Sequence, residues 1–183
     1  ASTTYFILNR NINQTSIQKI DSEEITLELG NGEIININRY NDTIINAKKG
    51  IASIHLNNGV LRHDIETNSN PKSQYNTLRI PKGRILSITL QDGSVVKLNS
   101  GSELRYPSSF AGMDNRQVYL KGEAFFEITK NPKKPFVVKT EEMFTQVYGT
   151  VFNISAYEND DKIEVVLVEG SVGVGGKNAF NAE

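Results

Sequence analysis

A chain of 183 residues with a formal net charge of −1, no cysteine and no tryptophan is long enough for one domain with its own core. These numbers exclude zinc fingers, iron–sulfur sites and thiol catalysis, and the lack of a polybasic face argues against sequence-independent nucleic-acid binding. The longest apolar runs are about four residues, as at Val165–Val168, so no segment reads as a membrane span or a signal peptide.

Ile, Val and Thr number 19, 13 and 12 against 8 Ala, and Asn occurs 20 times, often beside Gly. β-Branched residues fit a pleated surface and Asn-Gly pairs are turn chemistry. The expected fold class is therefore all-β, a β-sandwich of jelly-roll type with additional N-terminal β-hairpins. A β-solenoid-like stack is the alternative, although the repeated hairpin glycines Gly32, Gly59 and Gly93 are unevenly spaced.

The first hairpin sets Ile25, Leu27 and Leu29 against Ile35 and Ile37 across Gly30-Asn31-Gly32. Parity selects the loop. Three residues place Leu27 opposite Ile35 and Ile25 opposite Ile37 on one apolar face, with a left-handed Gly closing the turn. The second hairpin turns at Asn58-Gly59, where a two-residue loop sets Leu56 opposite Leu61 and Ile54 opposite His63. A polar linker with Pro71 follows over 67–76, dividing an N-terminal segment (1–66) from a larger β domain (77–175). Within that domain Leu86, Ile88 and Leu90 face Val96 and Leu98 across Gln91-Asp92-Gly93, again with a three-residue loop. Ser102–Leu104 reads as a short helical turn stopped by Pro107, and Glu141–Phe144 as another. Later strands are expected over Gln117–Thr129, Phe136–Lys139, Gln146–Tyr157 and Lys162–Val174, with bends at Gly122, Gly149 and Gly170. Residues 176–183, with Gly175 before them, read as a flexible end.

Few residues suggest chemistry. His55 and His63 fall on opposite faces of their hairpin and cannot share a metal. Glu123 and Glu127 share one strand face, but their Cα atoms are roughly 13 Å apart at about 3.3 Å per residue, wider than the carboxyl spacing of glycosidases. Glu123 more readily accepts hydrogen bonds, with Arg105 and Arg116 as candidate partners. Glu158-Asn159-Asp160-Asp161 carries oxygens suited to calcium but reads first as a solvated hairpin turn. Lys130, Lys133 and Lys134 read as a solvated basic loop. Gly-x-Ser-x-Gly, His-Glu-x-x-His and the phosphate-binding glycine loop are absent. No enzyme activity, cofactor or metal is expected. Of the consecutive Phe125 and Phe126, one must point away from the core.

Five blocks then stand out: LQDGSVVKLNSGSELRYP (Leu90–Pro107), VYLKGEAFFEI (Val118–Ile128), KPFVV (Lys134–Val138), VYGTVFNI (Val147–Ile154) and VLVEGSV (Val166–Val172). Their order and content resemble the FecR family of sigma-factor regulators, and Tyr75–Gly83 is similar to the junction that precedes that domain. The resemblance implies the periplasmic part of a single-pass inner-membrane anti-sigma factor. Its partners would be the signalling domain of a TonB-dependent outer-membrane transporter and, through a cytoplasmic domain not in this chain, an extracytoplasmic-function sigma factor. The membrane helix and the small C-terminal domain of such proteins are also missing from it. A chain that starts just outside the membrane and stops before that last domain is thus expected.

The resemblance also implies a candidate self-cleavage pair, Gly149 and Thr150, at which the Thr hydroxyl attacks the preceding carbonyl in an N→O acyl shift. The alternative there is a Gly that bends a strand beside a Thr that pairs. The interaction surface is expected around Arg105, Tyr106 and Phe110 and around Glu123, Phe125 and Phe126. A carbohydrate-binding β-sandwich module is the competing function, disfavoured by the lack of Trp.

Overall fold

The computed structural model describes residues 24–37, 43–46, 52–57, 59–65 and 74–176, and among them every regular element is a β-strand. Fifteen strands arise in chain order: β1 (Ile25–Glu28), β2 (Ile34–Ile37), β3 (Thr43–Asn46), β4 (Ala52–Asn57), β5 (Val60–Ile65), β6 (Tyr75–Arg79), β7 (Leu86–Thr89), β8 (Val95–Leu98), β9 (Glu103–Pro107), β10 (Arg116–Glu127), β11 (Phe136–Lys139), β12 (Met143–Val147), β13 (Val151–Ala156), β14 (Glu164–Glu169) and β15 (Gly173–Gly176). No helix among the described residues is long and apolar enough to cross a membrane.

The strands form two layers that share β10. The first runs β2-β1-β6-β9-β10-β11-β12-β15 and the second β3-β4-β5-β7-β8-β10-β13-β14. Pairing is antiparallel except at β10–β11 and β5–β7. Among the described residues the sheet does not close into a barrel, and the all-β sandwich expected from composition is what forms.

β10 is the hinge of this architecture. Its residues up to Lys121 pair with β9 and β11 in the first layer, and Gly122 onward pairs with β8 and β13 in the second. Gly122 sits at the switch with φ +81°. A Cβ there would lie 2.6 Å from Ser102 Oγ and 2.9 Å from Ser102 Cα. Ser102 needs that closeness. Its hydroxyl donates to the Glu123 carbonyl at 2.9 Å and accepts from the Glu123 N–H at 2.8 Å, so it pins the corner. Despite the switch, alternate residues of β10 stay buried along its whole length. The inward set Val118, Leu120, Ala124 and Phe126 therefore feeds one continuous core with Leu27, Leu61, Leu78, Leu104, Phe152 and Ile154. Phe126 of the second layer meets Phe136 of the first edge-on at 6.4 Å and stacks on Phe152 at 4.9 Å. The N-terminal hairpins extend both layers, β1 against β6 and β5 against β7.

The hairpin registers are those that parity demands. Leu27 faces Ile35 and Ile25 faces Ile37; Ile88 faces Val96 and Leu86 faces Leu98. Gly32 and Gly93 both take φ +83°; Leu29 N–H donates to the Glu33 carbonyl and Gly32 N–H to the Leu29 carbonyl, and Leu90 N–H donates to the Ser94 carbonyl and Gly93 N–H to the Leu90 carbonyl. Leu56 pairs with Leu61 and Ile54 with His63.

Four expectations are corrected. Ser102–Leu104 is not a helical turn; Leu104 and Tyr106 alternate inward on β9, and a buried period of two outweighs local turn chemistry. Glu141-Glu142 form only a bend, closed by the Thr140 N–H donating to the Met143 carbonyl at 2.9 Å, and the chain then enters β12. The runs Gln146–Tyr157 and Lys162–Val174 are each two strands. They break at Gly149 (φ +146°) and Gly170 (φ +96°), where the chain crosses between layers. Gly175 and Gly176 belong to β15, paired with Phe144 and Met143, rather than to a loose end. Residues 66–73 and 177–183 lie outside the described residues, as do the side chain of His63 and the structure of residues 1–23.

Candidate functional site

The outward side of the second layer carries a concavity. β8, β10 and β13 lie side by side there, and the register sets Phe125 between Lys97 and Asn153. Phe125 is the outward member of the consecutive Phe pair, and Phe126 is fully buried. A groove of about 620 Å³ opens over Phe125, with Glu123, Glu127, Lys97, Asn99 and Asn153 among its lining.

Glu123 is fixed in this groove by two amides. Asn99 Nδ2 donates to one carboxylate oxygen at 2.9 Å and Asn153 Nδ2 to the other at 3.0 Å. Neither expected arginine reaches it. Arg116 is buried elsewhere, and Arg105 lies in the first layer against aromatic rings. The physical reason is the corner at Gly122: Arg105 pairs opposite Tyr119, before the switch, while Glu123 lies after it. Glu127 lines the same groove as Glu123. No cluster of three His, Cys, Asp or Glu suited to a metal occurs among the described residues.

On the outward side of the first layer Arg105 is exposed and stacks on Tyr75 at 4.3 Å and on Tyr119 at 5.2 Å; the two rings meet edge-on at 5.9 Å. Burial pushes the Tyr75 hydroxyl up, Tyr119 adds to the shift and the Arg105 guanidinium opposes it. Gln117 Nε2 donates to Tyr119 Oη at 2.6 Å. The result is a preordered aromatic–cation patch that the expectation named only through Arg105.

Three of the expected surface residues are corrected. Tyr106, Phe110 and Phe126 are all core residues, because each occupies an inward position of its strand or loop. Phe110 packs edge-on against Phe136 at 6.0 Å. Arg105, Glu123 and Phe125 remain available, on two different faces of the sandwich.

Gly149-Thr150 joins β12 to β13. A Cβ on Gly149 would meet Lys130 Cα at 2.6 Å, and its φ of +146° lies in the range that disfavours other residues. Thr150 is buried, and its hydroxyl donates to the Ser171 carbonyl at 2.9 Å. A carbonyl oxygen is too weak a base to take the proton that nucleophilic attack must shed. Glu158–Asp161 forms the β13–β14 turn, with Lys121 Nζ at 3.2 Å from Glu158 and Lys162 paired to Glu164.

Sequence comparison places this architecture. The family described as FecR protein matches residues 76–173. The chain belongs to the FecR family. Its family segment runs from β6 to the first residue of β15 and so contains the Gly122 corner, the groove and the Gly149–Thr150 junction. Two crystal structures of a proposed anti-sigma factor from Parabacteroides distasonis ATCC 8503 are similar to this FecR chain at 37% identity. One covers 55% of this chain and 50% of its own, with a TM-score of 0.47. The other covers 54% and 50%, with a TM-score of 0.46. The FecR chain thus spans about half the length of the solved proteins it matches. No curated protein sequence matches it.

Proposed function

We propose that this chain is the sensor and relay part of a FecR-type anti-sigma regulator, acting in the periplasm. It couples a TonB-dependent outer-membrane transporter to an extracytoplasmic-function sigma factor held by a cytoplasmic portion of the same protein. The observation that carries the reading is the FecR match over residues 76–173, which spans the whole of β10 and both layers around it.

The site chemistry supports binding over catalysis. Glu123 is immobilised by two amide donors, Thr150 faces a carbonyl, and the groove over Phe125 is lined by side chains suited to contact. In the proposed mechanism transporter engagement changes the exposure of a cleavable periplasmic stretch, membrane proteases act on it, and the sigma factor is released. The test is a pull-down of the full periplasmic region with a transporter signalling domain, paired with a reporter gene driven by the sigma factor. Capture, together with loss of reporter induction on deleting residues 76–173, is the expected result. Absence of capture removes the reading.

Carbohydrate binding is the second reading, and one observation favours it. Phe125 is an aromatic floor flanked by the Asn99 and Asn153 amides and the Glu123 carboxylate. A glycan array probed with the intact chain and with Phe125→Ala decides it: a hit lost in the variant supports sugar binding, and a blank array ends it.

A further inference from the structure

Among the described residues β14 hydrogen-bonds only to β13 and β15 only to β12, so both layers terminate there in open edges. The inward residues at this end ought to be core. Register sets Leu167 beside the buried Phe152 and Val174 beside the buried Thr145, yet Leu167 is 44% exposed and Val174 56%. On the same edge Val166 and Val168 are 54% and 63% exposed. A long, apolar, unpaired edge is what proteins normally blunt with charge, proline or a covering element.

We infer that the β14 edge receives an extended strand of another protein, apolar on its inward side and basic at the two ends of its outward side. The charges select this occupant. The bulge at Val168 brings Glu164 and Glu169 onto one outward face, opposite Ser155 and Val151, with Val166 between them. Antiparallel pairing of β14 with a second copy of itself would set Glu164 against Glu169 twice, and directly opposed like charges are destabilising. A strand carrying Lys or Arg at those positions replaces both repulsions with attractions, with the incoming cation at Glu164 sharing that carboxylate with Lys162. The preceding turn strengthens the bias: from Glu158 to Glu169 there are five carboxylates and one lysine. Apolar residues on the incoming strand's inner side cover Leu167 and Val174 and close the core between the layers. Its main chain satisfies the open N–H and C=O groups of β14 by strand addition.

The probe is a fluorescein-labelled peptide with the central sequence Lys-Val-Thr-Val-Lys, titrated into the 183-residue chain and read by anisotropy. Its counterpart has Glu in place of both Lys. The basic peptide is expected to bind about tenfold or more tightly than the acidic one at low salt. Glu164→Lys/Glu169→Lys, two exposed substitutions with the fold checked by circular dichroism, is expected to invert that order. Failure of both peptides to bind, or equal binding of the two, overturns the proposal. So does a stable dimer of the chain in sedimentation that the double substitution leaves intact, since the edge then belongs to a second copy.

Discussion

Arg116 and Asp92 form a buried ion pair, Nη1 to Oδ2 at 2.7 Å, that ties the turn after β7 to the start of β10. Arg116 is 2% exposed and Asp92 13%. The same guanidinium donates to the carbonyls of Thr129 and Lys134, at 2.8 and 3.0 Å, and lies 5.5 Å from the Phe136 ring centre. Asp92 accepts from the Ser94 hydroxyl at 2.7 Å, and Ser94 Oγ in turn accepts from the Thr129 N–H at 3.1 Å. Removing one partner leaves the other charge buried without its counter-charge. Asp92→Ala is expected to cost about 3–5 kcal/mol, read as a lower urea midpoint at unchanged slope. In a double-mutant cycle Arg116→Met should cost clearly less in the Asp92→Ala background than in the wild type. Additive effects would show that the pair is not coupled.

Gly122 is the second sensitive point. At φ +81° any Cβ is strained by about 1–3 kcal/mol, and the approach to Ser102 adds a clash. Gly122→Ala should therefore lower the thermal midpoint more than Gly32→Ala, where the φ is similarly positive but the space is open. Equal losses at the two sites would mean that Ser102 yields freely.

Thr150 donates to a carbonyl instead of to a base. The chain is expected to keep its full mass on prolonged incubation at neutral pH, by intact-mass spectrometry, and Thr150→Ala should look the same. Time-dependent fragments ending at Gly149 that disappear in Thr150→Ala would establish self-cleavage.

Tyr106 gives the pH dependence. Burial raises its hydroxyl well above the ordinary value, which is about 10. Above that ordinary value the unfolded chain loses the proton while the folded chain keeps it. The folded state then binds more protons, so stability falls as pH rises through and beyond about 10. Below it Tyr106 contributes no slope. Denaturant midpoints between pH 8 and 11 should drop at the alkaline end, and Tyr106→Phe should drop less steeply.

The expectation of a sandwich and the realised one differ in instructive places. Local parity sufficed wherever two strands are joined by a short loop, because a one-residue slip would turn a whole apolar face outward. Leu27 with Ile35, Ile88 with Val96 and Leu56 with Leu61 all follow from that rule. The groove was legible in part: one of two adjacent phenylalanines had to face out, and it is Phe125. Its neighbours were not legible. Asn99 and Asn153 are 54 residues apart, and nothing local says that they converge on Glu123.

The sequence by itself determined the strand-rich class, the hairpin registers and the family, since these rest on alternation, turn residues and ordered blocks along the chain. Only the tertiary structure decided that β10 serves both layers, that Arg116 meets Asp92 rather than Glu123, and that Tyr106, Phe110 and Phe126 are core. These depend on where β10 turns at Gly122 and on which distant strands lie beside it. Such pairings are chosen by the packing of the whole core, which no short stretch of sequence encodes.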